Sequence, residues 1–188
     1  PGFPGYNENL EGLGYDPDLA TRLLSESSFA DPNIRPRITV TISGTGGTIA
    51  LYLEVIRDMW KQIEVYVDIQ QVEWATYLED LDNNKLQVYA GLGWEADYPD
   101  PQDFLDILFH SESSLNHGAY SNPQVDDILE SARVEQDPIE RMQMYQEVEQ
   151  LIVDDAAWVP LWFSGDQYVL IKPHVKGFKM TPMVVPKL

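Results

Sequence analysis

Residues 94–100 read Trp-Glu-Ala-Asp-Tyr-Pro-Asp, three carboxylates beside an indole with no basic residue among them. An ionised carboxylate next to an aromatic face suits an ammonium group, held by charge pairing, hydrogen bonding and cation–π attraction. The three acids have different explanations. Asp100 precedes Pro101 and suits the cap of a helix. Glu95 reads as a solvated loop carboxylate. Asp97 is neither a cap nor an i,i+4 partner, which leaves it as the candidate cation ligand, with Trp94 as its aromatic neighbour. Tyr98, and Tyr120 ahead of the next capped helix, are the other candidates to line such a site, although packing explains Tyr120 equally well. A rival chemistry makes Glu95 and Asp97 the acid and base of a glycoside hydrolase. Two acids two residues apart in one loop seldom face each other across a substrate, and the sequence supplies no second catalytic segment.

The loop must be held by the elements around it. Four Asx-Pro pairs, Asp16-Pro17, Asp100-Pro101, Asn122-Pro123 and Asp137-Pro138, each offer a capping side chain followed by proline at the first helical position. Glu140 is placed to complete a capping box with Asp137. Apolar residues follow each pair at helical spacing: Leu19, Leu23 and Leu24; Phe104, Leu105, Leu108 and Phe109; Val125, Ile128, Leu129 and Ala132; Met142, Tyr145, Val148, Leu151 and Ile152. Further helices are expected at 48–62 and 74–83, the second with Trp74, Tyr77, Leu78 and Leu81 on one face. Strands are expected at 37–43, 64–72, 88–94, 158–163 and 167–172, runs rich in β-branched and aromatic residues between turn signals. The alternation predicts an α/β lobe, a mixed sheet flanked by helices, parallel early and antiparallel late. Trp94 would then stand at the carboxyl end of a strand, the edge where open α/β sheets bind ligands.

Composition narrows the function. The 188 residues hold 12 basic and 31 acidic side chains, a formal charge of −19, so nucleic acid and anionic membranes are poor partners. There is no cysteine, which excludes disulfides, Cys-ligated zinc and a thiol nucleophile. No cofactor or metal is expected. His110, His117 and His174 lack metal-ligand spacing and read as surface or boundary residues, and the Asp126-Asp127 and Asp154-Asp155 pairs as carboxylates of helix surfaces or ends. "SGTGGT", 43–48, lacks the lysine of a phosphate loop and the third glycine of a dinucleotide fingerprint, so its glycines make a turn. "EWATYLEDLDNN" reads as the solvated face of a helix, and Trp158 and Trp162 as core residues of a strand. "PGFPGYNENL" has neither initiator Met nor a signal pattern and reads as a cut inside a longer protein.

"GWEADYPDPQDFL", "YSNPQVDDILESA" and "ERMQMYQEVEQLIVDDAAWVPLWF", in that order, resemble successive signatures of the family 5 extracellular solute-binding proteins. "GYDPDLATRLLSESSF" and "VKGFKMTP" are similar to the family's Tyr-Asp-Pro helix and its Val-Lys-Gly-Phe segment. The resemblance implies a periplasmic-binding-protein-like (type II) fold with two lobes closing on a ligand. This chain would be mostly the second lobe: 1–15 a crossover from a missing first lobe, 16–172 the ligand-binding lobe, and 173–188 a crossover back. It also implies, for Trp94 and Asp97 of the Gly-Trp-x-x-Asp motif, a place in the cleft, with Asp97 receiving a peptide's α-amino group. The implied partners are a small peptide or similar solute and the permease subunits of an ABC importer. The implied location is the periplasm or the extracellular face of a bacterial membrane, with lipid anchoring through the missing N-terminus compatible with it. The fragment is expected to be monomeric and without enzymatic activity; a structural lobe with no ligand of its own is the remaining alternative. One departure is "KQIEVYV", where the family usually carries Gly-Ile after the helix.

Overall fold

Each Asx-Pro pair closes a hydrogen bond onto the helix behind it. In the computed structural model, which describes residues 2–44, 50–163 and 170–178, Asp16 accepts from the Leu19 N–H at 2.8 Å and opens α1, Pro17–Glu26. Asp100 accepts from Gln102 N–H at 3.0 Å ahead of α4, Gln102–Phe109, which starts one residue later than the proline. Asn122 accepts from Gln124 N–H and opens α5, Pro123–Val134. Asp137 accepts from both Ile139 and Glu140 N–H groups and opens α6, Pro138–Asp154. The expected capping box is not completed by Glu140. The Asp137 N–H donates instead to Glu135 Oε1 at 2.7 Å, an acceptor two residues upstream.

The chain divides into two compact units, one of Pro1–Gly12 with Trp94–Leu188 and one of Leu13–Gly93. In the second unit β1 (Ile38–Ser43), β2 (Val67–Val72) and β3 (Val88–Tyr89) form a parallel sheet in the order β2-β1-β3. α2 (Leu51–Gln62) connects β1 to β2, and α3 (Trp74–Asp82) connects β2 to β3. Val40, Ile42 and Val67 pack with Leu53 of α2 in one core cluster, while α3 lies against β1 with Tyr77 and Leu81 buried. The two crossovers run in opposite directions across the sheet, so right-handed connections set α2 and α3 on opposite faces. That explains why Thr41 is buried along with Val40 and Ile42: the central strand is covered twice. Burial pushes the Tyr77 hydroxyl up to about 12, and it donates to the Ala90 carbonyl at 3.1 Å.

Several expected elements are shorter or absent. The strand expected at 88–94 ends at Tyr89, because Gly91 takes a φ of +86° and turns the chain out of the ladder. The strand expected from 64 begins at Val67, since Glu64 stands at φ +59° in the turn that ends α2. This is the position of the sequence departure noted above, a left-handed turn made without glycine. Residues 158–163 are not a strand; Pro160 deprives that run of a ladder donor, and Trp162 is 63% exposed rather than core. Of the last expected strand, 167–169 lies outside the described residues and 170–172 is coil. The described sheet is therefore parallel throughout. α1 has an apolar face but no buried residue. Glu73, read as part of a solvated face, caps α3 by accepting from Ala75 and Thr76 N–H groups.

The first unit is built on helices among its described residues. Leu108 and Phe109 of α4, Val125, Leu129 and Ala132 of α5, and Tyr145, Val148 and Ile152 of α6 make its core. Each fully buried Val or Leu among them contributes about 1.5–3 kcal/mol of transfer free energy. The chain's beginning packs here too. Phe3 meets Phe104 edge-on at 5.4 Å, Glu11 and Gln150 exchange hydrogen bonds, and a side chain at Gly5 would collide with Pro101.

Two arginines lock this unit. Arg141 of α6 grips both oxygens of Asp100 at 2.7 and 2.8 Å, and also donates to the Ala132 carbonyl at 3.1 Å and the Tyr145 hydroxyl at 2.9 Å. Arg133 of α5 grips both oxygens of Asp106 at 2.7 Å. Burial works to raise the Asp100 carboxyl, yet the Arg141 fork and the Gln102 N–H hold it below the usual carboxylate range. The sign follows: a carboxylate whose folded value lies below its unfolded value stabilises above about pH 4 and loses that contribution as pH falls through the folded value. Arg141→Met is expected to lower stability by about 2 kcal/mol at pH 7, read as a lower urea midpoint at unchanged slope. The gap to the unaltered protein should shrink by pH 3. Equal midpoints at pH 7 would show that the fork is not stabilising.

Candidate ligand-binding site

The loop 94–101 is fixed at both ends. At its start Trp94 is half-buried and packs against the α4–α5–α6 core, with its Nε1 buried and making no hydrogen bond to a described residue. At its end Asp100 is held by Arg141 and caps α4. Between them Asp97 is exposed, and its N–H donates to Asp103 Oδ2 at 2.8 Å. Asp103, in the first turn of α4, is 0% exposed. The Asp100 N–H reaches the Tyr98 carbonyl at 2.9 Å, which tightens the turn around Pro99. The Asp97 carboxylate itself makes no hydrogen bond or ion pair to another described residue.

Tyr98 sits among the acids. Its hydroxyl donates to Gln102 Oε1 at 3.3 Å, and Gln102 in turn donates to Asp106. Burial first, then the charges of Asp103, Asp100, Asp106 and Asp97, push that hydroxyl above its ordinary value. Asp100 and Asp106 are neutralised by their arginines. Asp97 and Asp103 have no cationic partner among the described residues, so the loop keeps a local anionic surplus. A cleft of about 370 Å³ lies beside it, lined in part by Gln102, Asp106, His110 and Arg133. Its lining begins at Gln102, the first residue of α4, and includes no residue of the loop and not Tyr120.

Tyr120 is held by packing and by polar contacts at once. Its ring meets Phe109 edge-on at 6.0 Å, its main chain exchanges hydrogen bonds with Asn116, and its hydroxyl donates to Asp155 Oδ2 at 2.6 Å. Asn122 donates to the same oxygen at 2.8 Å, so the end of α6 is tied to the start of α5. The expectation for His110 is corrected: it is 4% exposed, at the end of α4. Its Nδ1 accepts from Glu112 N–H and its Nε2 stands 3.5 Å from Glu130, an environment a helix-terminal residue acquires when α5 covers it. No group of three or more metal-ligating side chains occurs among the described residues. The loop of 43–48 lies outside the described residues from 45 onward. Glu95 and Asp97 are both exposed on one loop.

Sequence reasoning missed Asp103, Asp106, Arg133 and Arg141. The available signal was the spacing of Asp100, Asp103 and Asp106 at intervals of three, one stripe on an otherwise apolar helix. In a chain with so few basic residues, an acidic stripe of that kind asks for arginines on the neighbouring helices.

A parallel sheet joined by α2 and α3 in one unit, and a helical core that carries an anionic aromatic loop in the other, fit the type II periplasmic-binding-protein fold. The family described as bacterial extracellular solute-binding proteins, family 5 Middle, matches residues 1–116, and the chain belongs to it. The oligopeptide-binding protein OppA of Bacillus subtilis strain 168 is 25% identical over 176 residues, 90% of this chain and 32% of that protein. Heme-binding protein A of Haemophilus influenzae is 28% identical over 192 residues, 97% of this chain and 34% of that protein. Among solved structures, the ABC transporter-associated periplasmic binding protein DppA from Helicobacter pylori, in complex with the peptide STSA, superimposes with a TM-score of 0.75. It is 27% identical and covers 86% of this chain and 31% of that one. The chain thus spans about a third of the length of these relatives.

The Tyr120–Asp155 bond gives a direct check on the geometry. Hydrogen bonds from Tyr120, then Asn122, hold the Asp155 carboxyl below its ordinary value. In Tyr120→Phe the Asp155 titration, followed by carboxyl carbon NMR, is expected to move up toward the usual carboxylate range. An unmoved titration would show that the hydroxyl does not reach the carboxylate in solution.

Proposed function

We propose that this chain is the ligand-capturing lobe of an extracellular solute receptor serving an ABC importer, and that Asp97 receives the ammonium group of a short peptide or similar amine-bearing solute. The carrying observation is the state of the Asp97 carboxylate: exposed, on a loop pinned at both ends, and without a hydrogen bond or ion pair among the described residues while Asp100 and Asp106 are each clamped by an arginine. Such a carboxylate keeps its bonding capacity for an incoming cation. Trp94 borders it and offers ring surface, although its indole N–H is turned inward. Tyr98 and Tyr120 contribute aromatic surface, since each hydroxyl already donates to a neighbour.

In this reading 16–172 forms the second lobe, 1–15 and 173–188 cross to and from a first lobe, and permease subunits are the partners of the whole receptor. The likeness to peptide receptors over most of the chain supports it. One relative is named for binding heme rather than a peptide, so the amine is the committed feature and peptide length is not. The module binds rather than transforms its ligand and uses no cofactor.

The test uses the protein that carries this chain and calorimetric titration with short peptides, amino-terminus free or acetylated. Asp97→Asn is expected to weaken the free-amine peptide by about ten- to a hundredfold, the worth of a hydrogen bond to a charged group, and to leave the acetylated peptide nearly unchanged. Equal affinities before and after the substitution would remove Asp97 from the site.

A further inference from the structure

We propose that Asp103 is the positioning residue of this site: its buried carboxylate fixes the main chain of Asp97, and so fixes where the Asp97 carboxylate meets a cation. The inference rests on the role of Asp97 proposed above and adds the group that aims it. Asp103 is fully buried, and its one side-chain hydrogen bond among the described residues is the 2.8 Å bond from the Asp97 N–H to Oδ2. Its Oδ1 makes no hydrogen bond to a described residue. The acids one helical turn to either side, Asp100 and Asp106, each have a bidentate arginine, and Asp103 has none.

A buried carboxylate with a single neutral donor is an expensive way to fill a helix position, because desolvation costs more than one such bond returns. An apolar or amide side chain would serve packing better. What the carboxylate does is anchor an otherwise exposed loop residue to a helix held by two arginine forks. Both forks act on α4 and its entry, tying them to α5 and α6. Pro99 and Pro101 fix two further backbone angles on the way from the loop into the helix. With the Asp97 N–H pinned, the peptide plane leading into its Cα is held before a ligand arrives, which narrows the positions its carboxylate can reach, and such preorganisation becomes affinity.

The experiment compares Asp97→Asn, Asp103→Ala and Asp103→Asn in the protein that carries this chain. For each, calorimetry gives the ratio of affinities for one short peptide with a free amino terminus and with that terminus acetylated, and thermal melting checks folding. Asp97→Asn should abolish the preference for the free amine. Asp103→Ala should reduce it by about tenfold or more, while Asp103→Asn, whose amide oxygen still accepts from Asp97, should stay within about threefold of the unaltered protein. Asp103→Ala that melts normally and keeps the full preference overturns the inference and leaves the reading of Asp97 standing. Equal losses in both Asp103 variants also overturn it, since charge and not the acceptor would then matter. Persistence of the preference in Asp97→Asn rejects the reading of Asp97 and the inference with it. Should Asp103→Ala not fold, hydrogen exchange of the Asp97 amide decides. Protection in the unaltered protein that survives Asp103→Asn is expected, and fast exchange in the unaltered protein overturns the inference.

Discussion

The bidentate grip of Arg141 on Asp100, with that of Arg133 on Asp106, is the constraint on which the helical unit turns. α4 is only eight residues long, too short to be stable alone. Its buried Leu108 and Phe109 attach one end to the core, and the two forks hold its entry and its middle against α6 and α5. The loop that carries Asp97 is the direct continuation of this helix toward the N-terminus. It inherits the helix's rigidity through one hydrogen bond from Asp97 and through the cap at Asp100. Fork, helix, anchor and exposed carboxylate form a short chain of physical cause.

The same residues show how a strongly acidic chain folds without self-repulsion at its centre. Acids here serve three ends. Asp16, Glu73 and Asp137 satisfy main-chain N–H groups at the starts of α1, α3 and α6. Asp68, Asp80, Asp100 and Asp106 meet arginine or lysine. What remains unneutralised near Tyr98 is concentrated on Asp97 and Asp103. Of the two, Asp103 is buried and Asp97 is exposed, so the accessible part of that charge is a single carboxylate among compensated neighbours.

Much of the fold was legible because it is written in local chemistry. Asx-Pro pairs announce helices by a donor count that needs no tertiary information: a helix follows each of the four, and three begin on the proline as expected, while α4 begins one residue after it. Class and family were legible from motifs kept in order. Strand lengths were not, since they depend on neighbours: the 88–94 run is broken by the backbone of Gly91, and 158–163 has no described ladder partner despite its β-branched and aromatic content. His110 was misjudged because a terminal helix residue is surface or core according to what packs on it. At the site, Trp94 and Asp97 stood out by type and spacing, but Asp103 did not. The role proposed for it rests on being buried against a residue six positions away, and burial of a carboxylate cannot be read from a sequence that is rich in carboxylates.

Arg141 joins three groups with one planar side chain: the Asp100 carboxylate, the Tyr145 phenol and a carbonyl in the last turn of α5. Lysine cannot reproduce that geometry, because a single ammonium cannot bridge both oxygens of Asp100 while reaching the Ala132 carbonyl. Neither member of the pair can drift alone, since loss of the guanidinium strands a half-buried anion and loss of the anion strands a cation. Homologous chains should therefore change positions 100 and 141 together or keep both, and this linked substitution pattern would mark the clamp wherever the rest of the helix has diverged beyond recognition.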